Sequence, residues 1–166
     1  MSADPEVMRY FLSPLTMIEA QKAVLRMGSA IAQRGWGIWA VEVDGEFAGM
    51  VGLNVPGWTL PFSPCTEVMW RLRRKFWGRG IGYAAASRAV EYGFTKLALS
   101  EIVAFTTPPN LPSIRLMERL GFTRDATGDF DHPAIPEGHP LRRHVLYRKK
   151  QPDIPLSNSS VSGPGG

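Results

Sequence analysis

RRKFWGRGIGYAAASRAVEYGF, residues Arg73 to Phe94, is the stretch whose reading decides the fold of this chain. Gly78, Gly80 and Gly82 stand directly ahead of a small-residue run, with Gly82, Ala86, Val90 and Leu97 at helical spacing. Immediately upstream, CTEVMWRLRR has the aromatic and β-branched content of a strand. The order this predicts is strand, glycine-rich turn, helix. Such a turn leaves several backbone N–H groups unpaired and convergent, and the helix dipole adds partial positive charge. It therefore suits a phosphate or pyrophosphate. Glycines at a strand–helix junction also ease tight packing, so the turn alone does not name a ligand.

Two phosphate-binding motifs are excluded. A dinucleotide fingerprint needs a third glycine where Ala85 stands, and a Walker A loop needs Gly-Lys-Ser/Thr, which is absent. The segment Trp77-Gly-Arg-Gly80-Ile-Gly82 instead resembles the acyl-CoA loop of the GNAT superfamily of N-acyltransferases, Gln/Arg-x-x-Gly-x-Gly/Ala. Trp77 departs from the usual first residue, and the WGxG form is similar to the branch that holds the ribosomal-protein N-terminal acetyltransferases. Downstream, Asn110-Leu-Pro-Ser113 followed by Glu118-Arg-Leu-Gly121-Phe122 resembles that branch's N-x-x-S...GF segment. The resemblance spans Asp4 to Lys149.

The resemblance implies an α/β/α sandwich on a mixed, largely antiparallel sheet, with the family's first strand missing because only Met1 to Asp4 precede the first helix. It implies acetyl-CoA as co-substrate, no metal, and direct attack of an amine on the thioester. Leu72, Arg74, Trp77, Gly78, Arg79, Gly80, Ile81, Gly82, Asn110 and Ser113 would hold the CoA, with a backbone N–H near Leu72 polarising the thioester oxygen. Glu67 matches the position of a catalytic glutamate, and Ser113 that of a serine protonating the thiolate. Each also has a plainer role, as a paired surface carboxylate and as a helix cap. Met117 stands where the family often has a tyrosine acid. The acceptor amine would meet Trp58, Trp70, Asp131 and His132. A protein N-terminus, a small-molecule amine such as an antibiotic or polyamine, and a non-catalytic acyl-CoA-binding module are the readings left open.

Composition bounds these readings. The chain has 166 residues, 44% hydrophobic and 20% charged, enough for one globular domain with a real core. No apolar run approaches a membrane span and no signal peptide opens the chain. A lone cysteine, Cys65, makes no internal disulfide and fits a reducing cytoplasm. The net charge is +4, with Arg71, Arg73, Arg74, Lys75 and Arg79 crowding the glycine turn, as a polyphosphate would favour. Nucleic acid is the rival partner for that charge, but no nucleic-acid-binding signature accompanies it.

In chain order, Asp4-Pro5 predicts a short helix, and Thr16-x-x-Glu19 a capping box opening a longer one. That helix carries Ala20, Ala23, Val24, Met27, Ala30 and Ile31 on one stripe and ends at Gly35 and Gly37. GIWAVEV and EFAGMVGLNV flank Asp44-Gly45, a hairpin signal. Val55 to Pro64 reads as a loop, either folded on its own aromatics or walling an acceptor site. Strands follow at Thr66 to Leu72, Glu101 to Thr107, Phe122 to Thr127 and His144 to Lys149, with a helix from Pro112 to Leu120. DFDHPAIPEGHPLRR reads as a loop. The domain covers residues 1–150, and residues 151–166 read as a disordered tail. The GIWAVEV strand is expected at a bare sheet edge, covered by further N-terminal residues or by a second chain in a homodimer.

Overall fold

The computed structural model describes residues 1–152, so the predicted tail lies outside the described residues but for Gln151 and Pro152. The elements in order are α1 (Met17–Arg34), β1 (Ile38–Val43), β2 (Glu46–Asn54), β3 (Glu67–Leu72), α2 (Ile81–Thr95), β4 (Glu101–Thr106), α3 (Leu111–Arg119), β5 (Thr123–Asp131) and β6 (Arg143–Lys150). A single 3₁₀ turn, Arg74–Phe76, lies between β3 and α2. The sheet has six strands in the order β1-β2-β3-β4-β6-β5. Every neighbouring pair is antiparallel except β3 and β4. This is the mixed, largely antiparallel sheet that the sequence predicts.

Local chemistry explains the element ends. Thr16 and Glu19 form the reciprocal capping box, and Gly35 closes α1 in the left-handed conformation. Asp44 and Gly45 both take positive φ, as a two-residue hairpin turn requires. Two expectations are corrected. Asp4-Pro5 opens only a string of turns, because one Met8 N–H to Asp4 bond forms and Ser13-Pro14 then breaks the chain before a helix propagates. And β5 runs on to Asp131, past Thr127, so the DFD of the predicted loop is strand; a bulge between Asp125 and Phe130 restores pairing, with Phe130 opposite His144.

Alternate residues of the sheet feed two different layers. Val51, Leu53, Val68, Ile102, Ala104, Val145 and Tyr147 pack on Ala86, Ala89, Val90 and Phe94 of α2 and Met117 of α3. Trp39 meets Tyr92 edge-on at 5.5 Å on the same face. Register places Asn54, Glu67, Met69, Arg71, Val103 and Phe105 on the opposite face. There Arg71 carries its guanidinium over the Phe11 ring at 4.2 Å and within 3.4 Å of Ser2, which seats the N-terminal segment. At the C-terminal end, Gln151 donates its backbone N–H to Ser100. Among the described residues no helix is long and apolar enough to cross a membrane.

Candidate active site

The glycine turn is built by its backbone. Gly78 and Gly80 adopt φ of 71° and 75°, a region costly for any residue with a Cβ. Trp77 folds back and donates its indole N–H to the Leu72 carbonyl at 2.9 Å, tying the turn to the end of β3. α2 starts at Ile81 with Gly80 as N-cap, no side-chain cap and no acidic residue in its first turn. Ala84 is the first residue whose N–H bonds back, to Gly80. The N–H groups of residues 78 to 83 have no acceptor among the described residues. An uncapped helix start with a run of free N–H groups meets the needs of a pyrophosphate.

The charges around the turn are more divided than the sequence suggests. Arg73 and Lys75 are both committed to Glu46, the first at 2.5 Å. Arg71 points to the other sheet face. Arg74 and Arg79 are exposed and form no salt bridge among the described residues, with Arg79 lying 5.4 Å over the Phe76 ring. These two cations stand free for a polyphosphate.

β3 and β4 pair at one register position only, Glu67 opposite Val103, and part beyond it. Arg73 donates its N–H to Ala48 of β2. Hydrogen-bonded pairs alternate along an antiparallel ladder, so Arg71 and Met69 also bond toward β2. The backbone groups of Trp70 and Leu72 therefore turn toward the gap. That gap is open to an extended chain that would pair with β3 as a strand does.

Side chains gather at the gap from both faces. Trp70, expected at the acceptor site, donates its indole N–H to Ser113 Oγ, a candidate proton donor, at 3.3 Å. Ser113 is set by Asn110, the N-cap of α3, whose Oδ1 accepts the Ser113 N–H at 3.4 Å and whose amide donates to Thr106 at 2.9 Å. Thr107 beside them is 1% exposed, and its hydroxyl has no partner among the described residues. Met117 is buried in the core, leaving no acid at that position.

Glu67 lies on the opposite face. Its carboxylate accepts from Asn54 Nδ2 at 2.7 Å, and burial, only partly offset by that bond, pushes its pKa up to about 7. Two residues along β4 from Val103, on the same face, Phe105 begins a ring cluster with Phe62, Phe130, His132 and His144. Burial, with the neighbouring His144, lowers the His132 pKa to about 4, and His144 is lowered by burial as well. Both imidazoles are thus neutral near pH 7, and their rings are 5.0 Å apart. His132 Nδ1 accepts from the Ala134 N–H at 3.2 Å, which places its proton on Nε2. Asp131 is held by Arg142 and Arg143 at 3.5 and 3.4 Å, and Asp129 by Arg124 at 2.5 Å. Trp58 is 53% exposed in the loop before β3. Sequence reasoning missed Asn54, Thr107 and most of the ring cluster, which is assembled from four separate segments. No group of three or more His, Cys, Asp or Glu residues that could hold a metal occurs among the described residues.

The mixed sheet parted between β3 and β4, with the glycine turn and its free N–H groups beside the gap, is the architecture of an acyl-CoA-dependent transferase domain. The chain belongs to the GNAT acetyltransferase family: the sequence profile described as an acetyltransferase (GNAT) domain matches residues 1–123. It is 33% identical over 168 residues to the FsC-acetyl coenzyme A-N(2)-transacetylase of Aspergillus fumigatus, covering 93% of this chain and 72% of the relative. A GNAT-family acetyltransferase structure from Bacillus anthracis superposes with a TM-score of 0.71 at 25% identity, over 90% of this chain and 84% of that one. A ribosomal-protein alanine acetyltransferase from Vibrio fischeri shares the fold at 21% identity, with a TM-score of 0.63 over 87% of this chain and 75% of that one. The protein is an acetyl-CoA-dependent N-acetyltransferase.

Proposed function

We propose that this enzyme acetylates a primary amine whose neighbouring groups are uncharged and apolar, on a peptide N-terminus or a small molecule, and that polyamines are poor acceptors. The observation that carries this is the wall beyond Glu67. It is made of Phe62, Phe105, Phe130 and two neutral imidazoles, while Asp129 and Asp131 are already neutralised by arginines. A polycation would gain little there and would lose hydration.

In this reading the free N–H groups of residues 78 to 83, with Arg74 and Arg79, hold the pyrophosphate. Acetyl-CoA supplies an acyl thioester, and the Leu72 N–H polarises its carbonyl oxygen. Glu67, with a pKa near the working pH, takes the proton from the attacking amine. Ser113, held by Trp70 and Asn110, gives a proton to the departing thiolate. Proximity of amine and thioester in the gap contributes the rest. The working unit is the domain of residues 1–150, in a reducing cytoplasm that suits the single, partly buried Cys65.

Release of CoA thiol, measured with acetyl-CoA and a panel of apolar-flanked peptide N-termini, simple apolar amines and spermidine, tests the acceptor class. We expect kcat/KM for the best neutral-flanked amine to exceed that for spermidine at least tenfold, about 1.4 kcal/mol of discrimination. Spermidine as the best acceptor would overturn the assignment.

A further inference from the structure

Helix α1 has eighteen residues, and none of them is buried. Its residues divide into three arcs. Ala20, Ala23, Met27, Ala30 and Ile31 are half-buried against the domain, with Ile31 packed on Gly37. Glu19, Lys22, Arg26 and Ser29 form a polar arc. The third arc holds Met17, Gln21, Val24, Leu25 and Gly28, carries no ionisable group, and faces water. Val24, which the sequence pattern places with the inner stripe, belongs here. Met17, Val24 and Leu25 are 74%, 64% and 70% exposed, and neighbouring Ile18 is 64% exposed. Together they leave roughly 500 Å² in water, about what the largest apolar patch of a whole monomer amounts to.

Two details say what fits it. Met17, Ala20, Gln21 and Val24, at i, i+3, i+4 and i+7, ring a surface depression whose rim is completed by Leu25. Four residues at that spacing make the hole that receives one side chain of a facing helix. Second, Gly28 sits mid-helix where a Cβ would meet nothing within 4 Å. The domain's own packing does not need a glycine there, and it costs α1 about 1 kcal/mol relative to alanine. A glycine there lets another helix come close.

We propose that this face pairs with the same face of a second copy of the chain, α1 against α1, antiparallel about a two-fold axis level with Lys22 and Ala23. That register sets Met17 over Gly28 of the second copy, Gln21 against Val24, and Leu25 into the depression beside Ala20. Large residues meet small ones in the outer layers, Met17 on Gly28 and Leu25 beside Ala20, while Gln21 and Val24 meet about the axis, and one surface supplies both sides, as an isologous contact demands. No charge is buried. Roughly 1,000 Å² is covered in total, the lower bound for a specific interface, which fits a reversible dimer. The pairing is independent of the acetyl-transfer reading.

Sedimentation velocity of the full chain from low to high micromolar concentration tests it. The parent is expected to pass from monomer to dimer. Leu25→Glu and Gly28→Leu, both at exposed positions where the monomer has room, should each weaken the dimer at least tenfold while circular dichroism stays unchanged. A Gln21→Cys/Val24→Cys variant in a Cys65→Ser background should cross-link into covalent dimers under mild oxidation. A parent that stays monomeric throughout, whatever else covers the face, overturns the proposal. So does a dimer that survives either substitution or fails to cross-link.

Discussion

At the scale of single residues, Glu67 carries two opposed consequences of one burial. Its folded-state pKa, about 7, lies above the ordinary 4.5. Between those values the folded chain binds more protons than the unfolded one, so stability is lost as pH rises through the window, and the cost is complete above about 7. Glu67→Gln keeps the oxygen that accepts from Asn54 and removes the charge. The variant should resist urea better than the parent at pH 8, by about 1–3 kcal/mol, and equal it at pH 4. Its kcat at pH 7 should fall by about 10²-fold or more and recover as pH approaches the acceptor's pKa, because more amine then arrives neutral. Identical urea midpoints at pH 8 would show that the carboxyl is solvated after all. Full activity at every pH would move the base elsewhere. Ser113→Ala should be milder, well under 10²-fold with no pH rescue, since a CoA thiolate leaves readily unaided. The rate profiles of both variants on one fixed acceptor check this. Glu67 and Ser113 were nameable from the sequence by motif position. Asn54, which orients one, was not, and Trp70 was named for the acceptor and not for its bond to Ser113, because hydrogen bonds between residues 13 and 43 apart have no local signature.

At the scale of elements, the turn between β3 and α2 works only if its backbone holds its shape. Trp77 ties it to Leu72, so Trp77→Phe should raise KM for acetyl-CoA about fivefold through loss of roughly 1 kcal/mol of hydrogen bonding, with kcat less affected. An unchanged KM would mean that the indole bond does not set the turn. The glycines divide. Gly80→Val forces a branched residue into left-handed φ and should disturb the turn itself. At Gly82 an added Cβ meets Leu72 and Leu116 at 3.4 and 3.6 Å, near-ordinary contacts, so Gly82→Val should stay folded and report directly on what the turn binds. Calorimetry showing undiminished CoA affinity in both variants would dismiss the turn as the pyrophosphate site. Elements announced by short-range chemistry were legible here: the capping box, the Asp44-Gly45 hairpin, the glycine turn. Those decided by tertiary pairing were not. β5 carries Thr-Gly-Asp in its middle and persists because β6 offers a partner across the bulge. The first turns fail to become a helix because they lie too close to Pro14.

At the scale of the whole molecule, the sheet is unfinished in two places, and the same alternation rule identifies the free groups in each. Leu53 donates its N–H to Gly37, so Trp39 and Val41 bond toward β2 while Ile38 and Ala40 direct their N–H groups off the edge. In the gap between β3 and β4, Trp70 and Leu72 do the same. An edge amide and a gap amide have different fates. The gap is where an acyl-CoA arm would complete the ladder, and ligand binding to the folded state also stabilises the domain as a whole, by about 2.7 kcal/mol at a hundred times Kd. Hydrogen exchange read amide by amide separates the local effect from the global one. In the free protein, Ile38, Ala40, Trp70 and Leu72 should exchange fast and Trp39, Val41 and Arg71 slowly. With saturating acetyl-CoA, Trp70 and Leu72 should slow by more than the general stabilisation accounts for, while Ile38 and Ala40 remain fast, since the α1 pairing leaves the β1 edge uncovered. Trp70 and Leu72 unchanged under acetyl-CoA would mean that the ligand does not pair with β3. Ile38 and Ala40 already slow in the free protein would mean that another strand lies on the β1 edge.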